Sequence, residues 1–354
     1  MNLSRRPTGT PRVVGQRTRR LTEHVSRMRI DSACGLVVTV YVLQREGHVA
    51  LVDTGFPYTT HQLEQGLAEL GLSVEDVDDV LYTHAHIDHV GGGVALDDRW
   101  EARAWFWKGC APAFGDLYGY LDGIRTSSTW PQDVLPEHAR QLPAAAEISS
   151  KPRLTWRSGG TGHISRVQGA AFGEVVSIGP WRMQCLDARG HGPFHCGWRD
   201  VEHNWLFSGD VVLSVPTPIS RAMGDDMLQW LGTLRRWSTT LDCCWMLPGH
   251  GTPTRLFEAS IARSRANADR LVVAASECLG SGRLVDPSTL TTALLPQDSS
   301  RYAARSSVLL CNAHAVLESW CDSGWVRREG GREYSAVNLT PRSCDDWLDR
   351  CEIF

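Results

Sequence analysis

His84-Ala85-His86-Ile87-Asp88-His89 is the stretch that decides how this chain folds and what it does. Three imidazoles and a carboxylate crowd into one short run, and these are the groups that borderline cations such as Zn²⁺ accept. Alternate residues of a tight loop point the same way, so His84 and His86 can share one cation. Asp88 and His89 lie beyond the turn and face a second. Gly91-Gly92-Gly93 follow, and residues without a Cβ let a helix start close to the cations. A lone histidine at a sheet edge would be read as structural; this cluster is not.

Upstream, Leu36 to Leu43 is rich in β-branched residues and predicts a strand. Arg45-Glu46-Gly47 is a turn, and His48 to Val52 closes a hairpin that ends at Asp53-Thr54-Gly55. Leu63, Leu67 and Leu70 space a helix over 61–70, which Gly71 stops. Val77 to Thr83 is a strand that delivers the chain into the histidine cluster. Strand, helix, strand and ligand loop is α/β organisation, with the polar residues at the C-terminal edge of a sheet. Downstream, strands are expected over 175–186 (around Gly179-Pro180), over 205–208 and over 243–247, with a helix over 227–237. Trp105 to Gln168 shows no periodicity and reads as a cover or binding loop.

Three further polar residues each follow a predicted strand: His191 in RGHGPFH, Asp210 in FSGD and His250 in PGHG. They complete two half-shells, His84/His86/His191 and Asp88/His89/His250, with Asp210 placed to bridge. In the order Asp53, HxHxDH, His191, Asp210, His250, the chain resembles the metallo-β-lactamase superfamily from about Leu36 to Thr254. The resemblance implies an αβ/βα sandwich with the site at one edge between two sheets. It implies two divalent cations, expected to be zinc, although iron or manganese suits the same donors. Their ligands would be His84, His86, Asp88, His89, His191, Asp210 and His250. Asp53 would hold the metal loops by hydrogen bonds, and Asp88 would orient the water that attacks the substrate. One departure is local: relatives read GHTPGH around the third motif, whereas Gly192-Pro193-Phe194 here separates His191 from His195. Phe194 alters the site wall. His195 is open between a role behind the ligands and a purely structural one.

The 354 residues, 42% hydrophobic and 21% charged, suit one large soluble domain and a smaller one. A net charge of -4 offers no general attraction to phosphate. Eleven cysteines without a signal-like N-terminus are expected to be reduced thiols in a cytoplasmic protein, and no apolar run suits a membrane span. The reading divides the chain into a disordered tail (1–20), a catalytic domain (21–257), a winged-helix-like domain (258–340) and a C-terminal tail (341–354). In the third part, helices are expected over 258–279, 286–295 and 304–321, then two short strands over 326–337.

That appendage resembles the winged helix of a two-domain branch which includes an endoribonuclease and polyketide-releasing thioesterases. The expected reaction is hydrolysis of an acyl thioester or ester linked to a carrier protein, coenzyme A or a small molecule, with polyketide-type acyl chains among the candidates. The Trp-rich segment from Trp100 to Trp156 suits an acyl or aromatic pocket, with Phe194, Trp130 and Tyr118 as substrate contacts. The alternative is a metal-dependent endoribonuclease that grips RNA with the winged helix. Against it, Arg327, Arg328 and Arg332 are offset by Glu329 and Glu333, whereas phosphate binding wants an excess of cations. The winged helix otherwise packs beside the site mouth or forms a homodimer.

Overall fold

Alternation along the strands sorts side chains onto two faces and thereby builds the layers. In this computed structural model, residues 12–13, 15, 17–31, 36–110, 116–117, 119, 163–192, 194–294, 303–330 and 333–352 are described. The first sheet contains β1 (Arg12–Val13), β2 (Thr18–Arg20), β3 (Val25–Asp31), β4 (Val37–Arg45) and β5 (His48–Val52), paired antiparallel. After α1 (Thr60–Ala68) and β6 (Asp79–Leu81) come α2 (Ile87–Leu96), β7 (Arg103–Trp107) and β8 (Val167–Ala170). The pairs from β5 to β8 are parallel, and the eight strands lie side by side in sequence order.

On β4, Val38, Val40 and Val42 face α1 and α2, where they meet Leu63, Leu67, Val90 and Val94. Tyr41 and Leu43 face the other way, onto the second sheet. That sheet holds β9 (Val175–Ile178), β10 (Trp181–Asp187), β11 (Cys196–Asp200), β12 (Trp205–Gly209) and, after α3 (Met227–Thr240), β13 (Trp245–Pro248). Its strands alternate likewise. Phe207 and Leu247 enter the layer between the sheets, and Leu206 and Met246 enter the layer under α3. The result is helices, sheet, sheet, helices: the expected αβ/βα sandwich. Trp181, Trp198 and Phe207 fill its middle.

Several expectations need correction. Strands β1 and β2 lie inside the stretch read as a disordered tail, and they extend the first sheet. The strand expected over 77–83 shrinks to Asp79–Leu81, because the chain must leave the ladder to present Thr83 and the histidines beyond it. Part of the supposedly irregular 105–168 stretch belongs to β7 and β8.

The stretch 341–354, expected to be a tail, instead carries a helix. This α7 (Cys344–Arg350) follows α4 (Phe257–Gly280), α5 (Pro287–Leu294), α6 (Ala303–Asp322), β14 (Val326–Gly330) and β15 (Glu333–Ala336). Ser343 caps α7, its Oγ accepting from Asp346 N at 3.0 Å. The Asp269 carboxylate on α4 accepts from Cys344 N at 2.7 Å. Trp347 and Leu348 are both 0% exposed. One apolar cluster runs without a break from Leu206 and Met246, through Trp230 and Trp237, to Leu271, Trp320 and Trp347. The chain beyond 257 therefore shares its core with the second sheet. Trp347→Ala is expected to cost about 3–5 kcal/mol of stability, read as a lower denaturation midpoint of the whole chain. An unchanged midpoint would mean that α7 is dispensable.

Candidate metal centre

Every candidate ligand sits where a strand of one of the two sheets has just ended. β6 is followed by Thr83, His84 and His86, and α2 begins at Ile87, so Asp88 and His89 occupy its first turn. A carboxylate there also suits the positive end of the helix. The glycines 91–93 thus lie inside α2 rather than before it. His191 follows β10, Asp210 follows β12 and His250 follows β13. Gly249 is required for the last approach: a Cβ there would stand 2.4 Å from Asp210 Oδ1 and 2.7 Å from His89 Cε1.

Behind the histidines, four of the outward nitrogens have a partner. Asp53, 1% exposed and at φ 60°, turns its carboxylate under the cluster as β5 ends. Asp53 Oδ2 accepts from His89 Nδ1 at 2.8 Å and from Thr83 Oγ1 at 2.9 Å, and Oδ1 accepts from Thr83 N at 2.9 Å. With its proton given to Asp53, Thr83 Oγ1 accepts from His84 Nδ1 at 2.9 Å. His191 Nδ1 donates to Pro218 O and His250 Nδ1 to Val37 O, both at 2.7 Å. These bonds fix the tautomer that leaves Nε2 free.

The inward nitrogens form the complementary set. Nε2 of His84, His86, His89 and His191 is buried and has no hydrogen-bond partner among the described residues. Buried polar atoms are seldom left in that state without a ligand to meet. His84/His86/His191, His84/His89/Asp210 and Asp88/His89/His250 each converge, with donor atoms within 4.8 Å of one another. Asp210 Oδ2 stands 3.1 Å from His250 Nε2 and 3.7 Å from both His89 Nε2 and His191 Nε2, so it lies between the two half-shells. Asp88 Oδ2 is 3.2 Å from His250 Nε2 and 3.5 Å from His89 Nε2.

The electrostatics are divided in the same way. Burial, reinforced by neighbouring imidazoles, holds His84 far below the usual histidine range and brings His86 down to about 3. Burial also opposes charge at His250, but the Asp210 and Asp88 carboxylates outweigh it and raise that group to about 10. His89 is raised by Asp88, Asp210 and Asp53 against the same burial. His84 and His86 thus present neutral donors, whereas the surroundings of His89 and His250 favour positive charge, which a divalent cation would supply. The donor set fits two such ions.

His195 stands apart from the converging groups. Its Nε2 accepts from Asp210 N at 3.0 Å, and its ring stacks on His84 with centroids 4.4 Å apart. It braces ligands from behind. Phe194 packs on the α1–α2 side of the first sheet, its ring 6.3 Å from that of Trp107. Trp130 and Tyr118 lie outside the described residues. Sequence reasoning missed Asp225, a buried carboxylate whose Oδ1 accepts from Gly192 N and whose Oδ2 accepts from Ser220 N, both at 2.8 Å. It lies 3.9 Å from His86 Nε2 and 3.8 Å from His191 Nδ1. Burial pushes its carboxyl up. Its one sequence signal is a second acid beside Asp226, the N-cap of α3.

The profile of the metallo-beta-lactamase superfamily matches residues 35–250, more than half of the chain. The chain belongs to that superfamily, and it is a metallo-hydrolase of that class with His and Asp groups that can bind divalent metals. It is 25% identical over 254 residues to the probable metallo-hydrolase YqjP of Bacillus subtilis, covering 68% of this chain and 76% of that protein. It is 23% identical over 167 residues to the hydroxyacylglutathione hydrolase GloC of Haemophilus influenzae, covering 47% of this chain and 62% of that protein. Among solved structures, a metallo-beta-lactamase family protein from Thermus thermophilus superposes with a TM-score of 0.67 at 23% identity, covering 89% of this chain and 99% of that one. A beta-lactamase domain protein from Burkholderia ambifaria gives 0.63 at 23% identity, covering 93% and 97%. These two share the fold.

Proposed function

We propose that this chain hydrolyses an acyl thioester or ester, carried on coenzyme A, a carrier protein or a small molecule, at a centre for two divalent cations. The observation that carries this reading is the pair of converging donor groups with Asp210 between them. Divalent cations held there would polarise a carbonyl oxygen and make hydroxide available near neutral pH. The chain's own part is to fix the donors. Asp53 orients His89 directly and His84 through Thr83, while His195 holds the Asp210 backbone. Asp88, kept anionic by His89 and His250 against its burial, can accept a hydrogen bond at Oδ2 from the attacking water and so orient it. Phe194, three residues beyond His191, is the aromatic residue that would wall the acyl group.

Thioester chemistry is supported by the relative named a hydroxyacylglutathione hydrolase, since hydroxyacylglutathione is itself an acyl thioester. RNA binding is disfavoured by the charges of the β14–β15 hairpin, whose Arg327 pairs with Glu329 and whose Arg328 pairs with Glu318 on α6. Cations already neutralised release few counterions from a phosphate backbone. Among the described residues no helix is long and apolar enough to cross a membrane.

The test is thiol release from acyl-pantetheine and acyl-coenzyme A by the zinc-loaded protein, beside its Asp88→Ala variant and a single-stranded RNA control. Release that falls about 100-fold or more in the variant, with RNA intact, is expected. Silence on every thioester together with metal-dependent RNA cutting would overturn the proposal in favour of a nuclease.

A further inference from the structure

We infer that Asn312, on α6 and far from the ligands in sequence, is a positioning residue that sets His191 through the backbone carbonyl of Pro218. His191 Nδ1 donates to Pro218 O at 2.7 Å, and that bond turns Nε2 toward the candidate cation. The position of this carbonyl is therefore part of the geometry of the half-shell His84/His86/His191.

Nothing in the 217–219 segment fixes that carbonyl by regular structure, since the segment lies in neither a helix nor a strand. Asn312 supplies what is missing. Its Oδ1 accepts from Ile219 N at 2.7 Å, and its Nδ2 donates to Thr217 O at 3.0 Å. The two bonds grip the peptide groups on either side of Pro218, much as a neighbouring strand would. A side-chain amide has a separate atom for each task, accepting from an N–H through Oδ1 and donating to a C=O through Nδ2. A carboxylate would keep the first bond and repel the Thr217 oxygen.

Burial argues the same way. Asn312 is 7% exposed, on a helix whose Ala313, Val316, Leu317 and Trp320 enter the apolar core. A polar group in such surroundings loses solvation that an aliphatic residue would not, and among the described residues this amide recovers it through the 217–219 backbone. Two other braces complete the frame. Thr217 Oγ1 donates to Val211 O at 3.2 Å, just past the bridging Asp210, and Asp225 ties Ser220 N to Gly192 N beside His191. The ligand loop and its supporting loop are thus one hydrogen-bonded unit, and α6 anchors it from the C-terminal segment.

This inference rests on the reading of His191 as a metal ligand, and the experiment separates the two. Full-length wild type, Asn312→Ala, Asn312→Asp and Leu317→Ala are compared by zinc titration against a chromophoric chelator, with thermal unfolding followed on the same samples. Wild type is expected to bind two equivalents. Both Asn312 variants are expected to bind one equivalent about 10–100-fold more weakly and the other as wild type does. Leu317→Ala, which removes core volume from the same helix while leaving both Asn312 bonds to the loop in place, is expected to lower the unfolding temperature and leave both affinities intact. Should Asn312→Ala fail to fold, the isosteric Asn312→Asp carries the test. Unaltered affinity for both equivalents in an Asn312 variant would overturn the inference, as would equal weakening in Leu317→Ala. Wild type binding no zinc would overturn the metal reading together with this one.

Discussion

Asp210→Ala is expected to reduce bound zinc from two equivalents to at most one and to lower hydrolysis by about 10²–10³-fold or more. Asp210 Oδ2 is the carboxylate oxygen shared by His89, His191 and His250, at 3.7, 3.7 and 3.1 Å. Its loss removes the anion that stands between the half-shells, so the charges of two cations would repel one another without that screen. The half-shell His84/His86/His191 is left with imidazole donors and no carboxylate. The check is metal analysis after gel filtration, alongside the steady-state rate with a thioester. Two retained equivalents with a near-normal rate would show that Asp210 does not bridge.

Gly92→Ala is expected to destabilise the fold by about 2–3 kcal/mol and to weaken metal binding with it. Alanine is the better helix former by about 1 kcal/mol, so on propensity alone the change should help. Packing decides otherwise. A Cβ at 92 would meet Thr54 O at 2.3 Å, and that oxygen belongs to backbone which cannot move aside. Thr54 is locked to the same helix: its N and Oγ1 both donate to His89 O at 2.8 Å, and Gly93 N donates to Thr54 Oγ1 at 2.9 Å. Overpacking of this kind costs about 1–3 kcal/mol or more, and here the displaced element carries Asp88 and His89 in its first turn. Chemical denaturation and zinc titration of the variant would both report it. A raised midpoint would show that helix propensity wins.

The site was more legible than its supports, and the reason is physical. Metal ligands are confined to a few residue types and fall at strand ends, so the HAHIDH run, His191, Asp210 and His250 stand out from local sequence. Asp53 follows a clear apolar strand, but its place behind the ligands came from the family resemblance. The braces carry no such mark. Asn312 acts on residues 93 and 95 positions away, and an isolated amide in an apolar helix has no pattern that reveals its partner. Asp225 is one acid among many. The three glycines looked like clearance for metal ions, but their packing is against Thr54, Pro57 and Tyr82.

The fold shows the same division. β4 and β5 read well because they are rich in branched apolar residues. β3, VSRMRID, hid because three of its outward positions are charged. α7 hid because seven residues with Trp347 and Leu348 are too few to establish a period. Its burial comes from α3 and α4, which is tertiary information.

The strands of the first sheet lie in the order in which a ribosome makes them, each beside its predecessor. Chains emerge N-terminus first, at about 5–20 residues per second. The Asp53–Thr83–His89 clasp can therefore form while most of the protein is still untranslated. Neither half-shell is complete at that stage, because one waits for His191 and the other for His250. The helix that bears Asn312 leaves the exit tunnel later still. Neither complete half-shell is thus available to a cation until the catalytic sheets have been synthesised.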